Sequence, residues 1–152
     1  KIESGNYETL AQTDYILIEF SYEIRYREMY NALNNILQLG LTPVIAHIER
    51  YNNLDEKKAQ ELVNMGCLVQ INAASILKPK LFGDKHKNYK KRAKKYLDAE
   101  LVHFIASDMH NMTTRRTHME EAFNIIEKKY GTTYAFELFS KNQERLLMNK
   151  II

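Results

Sequence analysis

The chain has 152 residues, enough for one domain with a substantial core, and its hydrophobic fraction of 45% excludes an intrinsically disordered protein. The single cysteine, Cys67, excludes an internal disulfide and a cysteine-based zinc cluster, and it suits a reducing cytoplasm. A net charge of only +3 and the lack of a recognised motif argue against nucleic-acid binding. No apolar run approaches the roughly 20 residues that span a bilayer, so we do not expect a membrane-embedded protein.

Short apolar strands alternate with longer amphipathic helices along the chain. Strands are predicted at residues 14–19, 42–46, 67–72 and 101–106. Helices are predicted up to Gly40, up to Gly66, through the Lys-rich stretch to Leu97, over 119–126, and at 132–140 and 142–149. Such alternation implies parallel strands with right-handed crossovers, so the predicted fold class is α/β, as an open sheet or part of a barrel.

Three of the predicted strands lead to side chains that can bind a metal ion. The first stops at Glu19, the second stops at His47, and the fourth leads to Asp108 and His110. Functional residues of parallel α/β folds gather at the carboxyl ends of strands, so we expect these four side chains to meet. Oxygen and imidazole donors without a thiolate suit Mn²⁺, Fe²⁺, Zn²⁺ or Mg²⁺, and the donor set does not choose among them.

Each candidate also has a purely structural interpretation. His47 would serve as a core or cap histidine, Glu19 as a surface carboxylate, and Asp108 as a helix N-cap. Their coincidence at three strand ends favours the metal site. The structural interpretation is preferred for the other histidines. We expect three of them to be structural or exposed: His86, His103 and His118.

Further candidates lie beside these strand ends. Arg50 follows His47 by three residues, and its planar guanidinium could bind two phosphate oxygens at once. Glu49 is metal-capable but ranks lower, because the strand is expected to end before it. Asn111 is expected to orient His110 or to contact substrate. The sequence contains no nucleophile-elbow, phosphate-loop or cysteine-phosphatase motif.

The Lys-rich segment at residues 85–95 has two interpretations. It would form a solvated helix face, or it would form a surface that binds an anionic partner such as an acidic or phosphorylated peptide.

Four segments together resemble a known family. They are residues 16–20 (ILIEF), 42–51 (TPVIAHIERY), 68–75 (LVQINAAS) and 103–111 (HFIASDMHN). In this order they resemble the bacterial tyrosine phosphatases of the polymerase and histidinol phosphatase (PHP) superfamily, of the CpsB/YwqE kind. The resemblance implies a distorted (β/α) barrel with a manganese-dependent, polynuclear metal centre at its mouth.

The resemblance also implies roles for individual residues. Glu19 and His47 would bind one metal, Asp108 would bind another, and His110 would belong to a third site. Arg50 would bind the phosphate. The implied reaction is hydrolysis of phosphotyrosine on the tail of a bacterial tyrosine autokinase, by metal-activated hydroxide, in the control of capsule and exopolysaccharide synthesis.

Members of this family open with a His-x-His strand and carry one more metal-binding Glu before the Glu19 strand, and neither is found here. We therefore expect residues 1–152 to form a single PHP-like domain that is incomplete at its N-terminus, with an exposed sheet edge that favours self-association. The chain itself would be an active phosphatase or an inactive fragment of one. Two alternatives are a non-catalytic module that binds a phosphopeptide or kinase tail, and a PHP phosphoesterase of small phosphate esters.

Overall fold

The computed structural model describes residues 8–80, 82–107 and 118–152. Its four strands are parallel and form one sheet in sequential order. They are β1 (Tyr15–Ile18), β2 (Thr42–Ile45), β3 (Leu68–Asn72) and β4 (Phe104–Ala106). The predicted α/β class with parallel strands is confirmed, and in the described ranges β1 and β4 are the two edges of the sheet.

Helices connect the strands and follow the last of them. They are α1 (Tyr26–Gln38), α2 (Glu56–Asn64), α3 (Lys87–Asp98), α4 (Met119–Tyr130), α5 (Thr132–Phe136) and α6 (Asn142–Leu147). Both predicted helix stops are confirmed, because Gly40 and Gly66 have φ of 78° and 107°, a conformation that glycine adopts without a Cβ clash. Asp55 begins α2 by accepting a hydrogen bond from the Lys58 backbone N–H at 2.9 Å.

The two faces of the sheet pack against different partners because side chains alternate along a strand. On one face, Ile45, Ile71 and Ile105 join the main core with Met29 and Leu33 of α1. The other face has a smaller cluster, formed by Tyr15, Val44, Leu68, Phe104 and Leu146. The C-terminal helical segment therefore covers the second face near the amino ends of the strands, and leaves the carboxyl ends to the loops.

Hydrogen bonds fasten the C-terminal segment to β1. The Tyr15 hydroxyl donates to the Lys150 carbonyl at 2.6 Å. Asn149 accepts from the Asp14 backbone N–H at 2.9 Å and donates to the Asp14 carboxylate at 2.8 Å. These bonds tie the last residues of the chain to the first strand.

Two elements differ from the sequence-based prediction. The fourth strand begins at Phe104 and not at residue 101, because the His103 imidazole Nδ1 accepts the Val69 N–H at 3.1 Å where a strand carbonyl would otherwise do so. The predicted break between the last two helices is absent, because a π-helical turn over Glu137–Lys141 joins α5 to α6. Among the described residues, no helix is both long and apolar enough to cross a membrane.

Candidate metal and phosphate site

Two of the predicted metal ligands lie at the carboxyl ends of neighbouring strands. The Ala46 N–H donates to the Ile18 carbonyl at 2.9 Å, which extends the β1–β2 pairing by one step. Glu19 and His47 follow these two residues directly, so they leave the sheet side by side. Glu19 is exposed, whereas His47 is 9% exposed.

The backbone at His47 redirects the chain out of the sheet. Its φ of 49° and ψ of 45° lie in the left-handed region, which a residue with a Cβ rarely adopts. The His47 N–H donates to the Gln70 side chain of β3 at 3.3 Å, so a neighbouring strand supports the turn. A short 3-10 turn, Ile48–Arg50, begins immediately after it. Backbone conformations of this kind are found preferentially at functional sites.

Glu49 fastens this 3-10 turn to the end of β3. Its side chain is fully buried, and its Oε1 accepts hydrogen bonds from the Asn72 N–H at 3.2 Å and the Ser75 hydroxyl at 2.8 Å. Burial raises the pKa of this carboxyl, and the hydrogen bonds and the Arg50 charge oppose the rise only in part. The contacts of Oε1 give Glu49 a structural role, and its rank as a metal ligand stays a prediction.

Tyr51 joins the loop after β1 to the turn after β2. Its ring is 1% exposed and its hydroxyl accepts the Phe20 backbone N–H at 2.9 Å. The same ring contacts those of Phe20 and Tyr22, each at a centroid distance of 6.3 Å. Burial raises the pKa of Tyr51, and the negative charge of Glu19 adds to the rise.

Arg50 lies at the rim of this aromatic cluster. Its Nη1 donates to the Tyr22 hydroxyl at 3.1 Å. Tyr51 therefore joins the segment that follows Glu19 to the turn that carries Arg50, through the Phe20–Tyr51 hydrogen bond and the Tyr22–Tyr51 ring contact. A carboxylate and a guanidinium at one rim can bind a metal ion and the phosphate group that the ion activates.

The basic helix α3 packs against the same 3-10 turn. Arg92 donates from Nε to the Glu49 carbonyl at 2.6 Å and from Nη2 to the Asn52 side chain at 3.1 Å. Two lysines of the segment are paired, Lys90 with Asp84 at 2.9 Å and Lys94 with Asp98. Part of the positive charge of residues 85–95 is therefore neutralised, and the Arg92 guanidinium contacts the turn that carries Arg50.

The histidines that were expected to be structural or exposed have those positions. His103 is half-buried and its Nδ1 accepts the Val69 N–H, so it is neutral, and burial lowers its pKa to about 4. His86 is exposed and stacks on Tyr89 at 5.5 Å. His118 precedes α4 in a left-handed conformation.

Asp108, His110 and Asn111 lie outside the described residues. Within residues 8–80, 82–107 and 118–152, no group of three His, Cys, Asp or Glu side chains could hold a metal ion. Glu19 and His47 nevertheless fit a divalent ion by donor type, since one carboxylate oxygen and one imidazole nitrogen suit Mn²⁺ and its neighbours. The sequence reasoning missed Tyr22, Tyr51 and Gln70, because their roles depend on tertiary contacts that no local pattern reports.

Comparison with known proteins identifies the relatives of this chain. It is 49% identical to the tyrosine-protein phosphatase CpsB of Streptococcus pneumoniae, over 100% of this chain and 63% of that protein. It is 36% identical to the tyrosine-protein phosphatase YwqE of Bacillus subtilis, over 95% of this chain and 55% of that protein. The chain thus spans 55–63% of the length of these two relatives.

A solved structure and a family profile agree with these matches. The solved chain comes from the crystal structures of YwqE from Bacillus subtilis and CpsB from Streptococcus pneumoniae, described as unique metal-dependent tyrosine phosphatases. It matches 99% of this chain and 60% of its own length at 33% identity, with a TM-score of 0.84. The family described as "Capsular polysaccharide synthesis, CpsB/CapC" matches residues 1–148. The chain therefore belongs to the CpsB/CapC family of capsular polysaccharide synthesis.

Proposed function

We propose that this chain carries part or all of a metal-dependent phosphatase site that hydrolyses phosphotyrosine in proteins. Its substrate would be the phosphorylated tail of a bacterial tyrosine kinase, and its pathway capsule or exopolysaccharide synthesis in the cytoplasm. The observation that carries the proposal is the junction at Tyr51, which binds the residue after Glu19 and packs on the Tyr22 ring that Arg50 contacts, in a chain whose relatives are named tyrosine-protein phosphatases.

Glu19 and His47 would bind one metal ion, Asp108 would bind another, and His110 would belong to a third site. When bound, a divalent ion such as Mn²⁺ neutralises phosphoryl oxygens and lowers the pKa of water. Fe²⁺, Zn²⁺ and Mg²⁺ fit the same donor types, and Mn²⁺ is preferred on the family resemblance.

The chain's own residues would bind and orient the substrate. Arg50 would donate two parallel hydrogen bonds to phosphate oxygens and bring positive charge to the group where negative charge builds up. Glu49 and Arg92 would keep the turn that carries Arg50 in place. The Glu49 side chain binds the end of β3, and Arg92 of α3 binds the Glu49 carbonyl. Asn111 would contact the substrate or orient His110.

The test is hydrolysis of a phosphotyrosine peptide by the 152-residue chain with Mn²⁺, compared with a small alkyl phosphate ester. We expect turnover that requires Mn²⁺ and favours the peptide. Arg50→Lys should lower the rate about 100-fold, because an ammonium group cannot make the paired contacts of a guanidinium. Arg27→Lys, on the exposed side of α1, is the matched control and should be unchanged.

Each negative result has a defined meaning. Turnover that favours the small ester would replace the protein substrate by a small-molecule one. A folded chain that turns over neither substrate would contradict phosphatase activity for this chain.

A further inference from the structure

Tyr22 is an aromatic side chain at the site that the proposed chemistry does not use. It lies three residues after Glu19, and 44% of it is exposed. Its hydroxyl accepts the hydrogen bond from Arg50 Nη1 at 3.1 Å. An exposed tyrosine beside the phosphate-binding arginine offers a large apolar surface at the position where the organic part of a phosphate ester would lie.

The Tyr22 ring packs against a buried neighbour. It leans on the Tyr51 ring at 6.3 Å and 50°, and Tyr51 in turn contacts Phe20 at 6.3 Å and 70°. Because Tyr51 is 1% exposed and fastened to the backbone of Phe20, the support is part of the core. A buried partner thus restrains Tyr22 before any ligand binds, which lowers the entropy cost of binding.

We propose that the exposed surface of Tyr22 receives the aryl ring of phosphotyrosine while its hydroxyl aligns Arg50 on the phosphate. This assignment rests on the proposed function and names the specificity residue of that site. The phenyl ring of phosphotyrosine would lie on the exposed surface of Tyr22 once its phosphate is bound by Arg50. Phosphoserine has no ring to place there, so Tyr22 would separate aryl from alkyl phosphates.

Two variants of Tyr22 separate its ring from its hydroxyl. Tyr22→Phe keeps the ring and removes the hydrogen bond to Arg50, so both ester classes should weaken by the same factor. Tyr22→Ala removes the ring as well, so only the aryl ester loses a further contact. Tyr30→Ala is the matched control, since Tyr30 is 39% exposed and contacts Tyr26 on α1, away from Arg50.

The experiment measures fluorescence anisotropy of two labelled peptides of one sequence, carrying phosphotyrosine or phosphoserine, with the full chain and no added metal ion, so that turnover does not consume the peptide. Wild-type protein should prefer phosphotyrosine about tenfold, as expected for one added ring contact with its buried area. Tyr22→Ala should abolish this preference, whereas Tyr22→Phe and Tyr30→Ala should keep it. Circular dichroism of each variant checks that it is folded.

Two results would overturn the assignment: a wild-type chain that does not distinguish the peptides, and a folded Tyr22→Ala variant that keeps the full preference. Hydrolysis measured after Mn²⁺ is added to the same samples tests the proposed function separately. A preference for phosphotyrosine that disappears in Tyr22→Ala, in a chain that hydrolyses neither peptide, would support Tyr22 and reject the phosphatase.

Discussion

Single residues decide how the two loops of the candidate site meet. Tyr51 is the central one, because its buried ring contacts Phe20 and Tyr22 while its hydroxyl accepts a backbone N–H from the loop after β1. Glu49 has the corresponding role on the other side, where it accepts hydrogen bonds from the end of β3. The orientation of Arg50 therefore depends on Glu49 and Tyr51, the buried residues on either side of it in the sequence.

Replacement of Glu49 tests this anchoring role through stability. Glu49→Ala would leave the Asn72 N–H and the Ser75 hydroxyl without their acceptor and open a cavity, so we expect a loss of about 2–4 kcal/mol in the free energy of unfolding. Glu49→Gln keeps one acceptor oxygen and the same shape, and should cost less than about 1.5 kcal/mol. Urea unfolding at pH 7 measures both.

Equal losses for the alanine and glutamine variants would contradict the hydrogen-bonding role of Glu49. Glu23→Ala, an exposed position in the loop after β1, provides the surface control and should stay within about 0.5 kcal/mol of wild type.

Just before β4, the His103 side chain replaces a backbone carbonyl as the acceptor in the pairing with β3. Its backbone N–H donates to the Val69 carbonyl at 2.9 Å, and its Nδ1 accepts the Val69 N–H at 3.1 Å. A protonated imidazole could not accept this bond. The approach to β4 therefore depends on a neutral histidine, and burial lowers its pKa to about 4 in the folded chain.

This arrangement predicts a dependence of stability on pH. The unfolded chain binds a proton at His103 near pH 6.5, whereas the folded chain does so only near pH 4, so stability falls as the pH drops between these values. The full loss amounts to about 3 kcal/mol. His103→Asn keeps an acceptor near Nδ1 without titrating, so its urea-unfolding free energy should fall less between pH 7 and pH 4.

Parallel declines of wild type and His103→Asn over this range would show that His103 does not contribute. His86→Asn, at an exposed histidine, should follow wild type.

Periodicity predicted most elements of this fold, and failed where side chains replace backbone contacts. Alternation of apolar runs located four strands to within a few residues, and glycines located two helix ends. The start of β4 was wrong because an imidazole takes the place of a carbonyl. The join between α5 and α6 was missed because a π-helical turn leaves no signature in hydrophobic spacing.

For the candidate site, the sequence predicted the positions of two residues at strand ends but not the contacts between loops. Strand ends identify Glu19 and His47, since a strand's carboxyl end follows from its apolar run. The contact between the Tyr22 and Tyr51 rings could not be predicted, because it forms between loops that follow different strands. Metal binding by Glu19 and His47 stays a prediction, as do the roles of Asp108 and His110, which lie outside the described residues.

At the scale of the whole molecule, β1 is an edge strand of the described sheet. Leu17 of this strand is 50% exposed and shares a face with Tyr15 and Val44. The C-terminal segment covers this face near Tyr15 and leaves the part around Leu17 open. An unpaired edge beside an exposed leucine favours pairing with another chain.

We therefore expect the 152-residue chain to self-associate through β1. Leu17→Lys places a charge on that surface and should shift the chain toward monomer, whereas Leu39→Lys, at an exposed leucine after α1, should not. Sedimentation velocity over a range of concentrations measures the effect. A wild-type monomer at the highest concentration would contradict the expectation.

We expect Glu19 and His47, at the ends of β1 and β2, to bind one metal ion. Titration of Mn²⁺ followed by electron paramagnetic resonance tests it most directly, because free and bound ions give different signals without any need for turnover. Glu19→Gln and His47→Gln should each weaken Mn²⁺ binding by at least about tenfold, while the matched controls Glu23→Gln and His86→Gln bind as wild type does. Wild-type affinity in both Glu19→Gln and His47→Gln would contradict the claim.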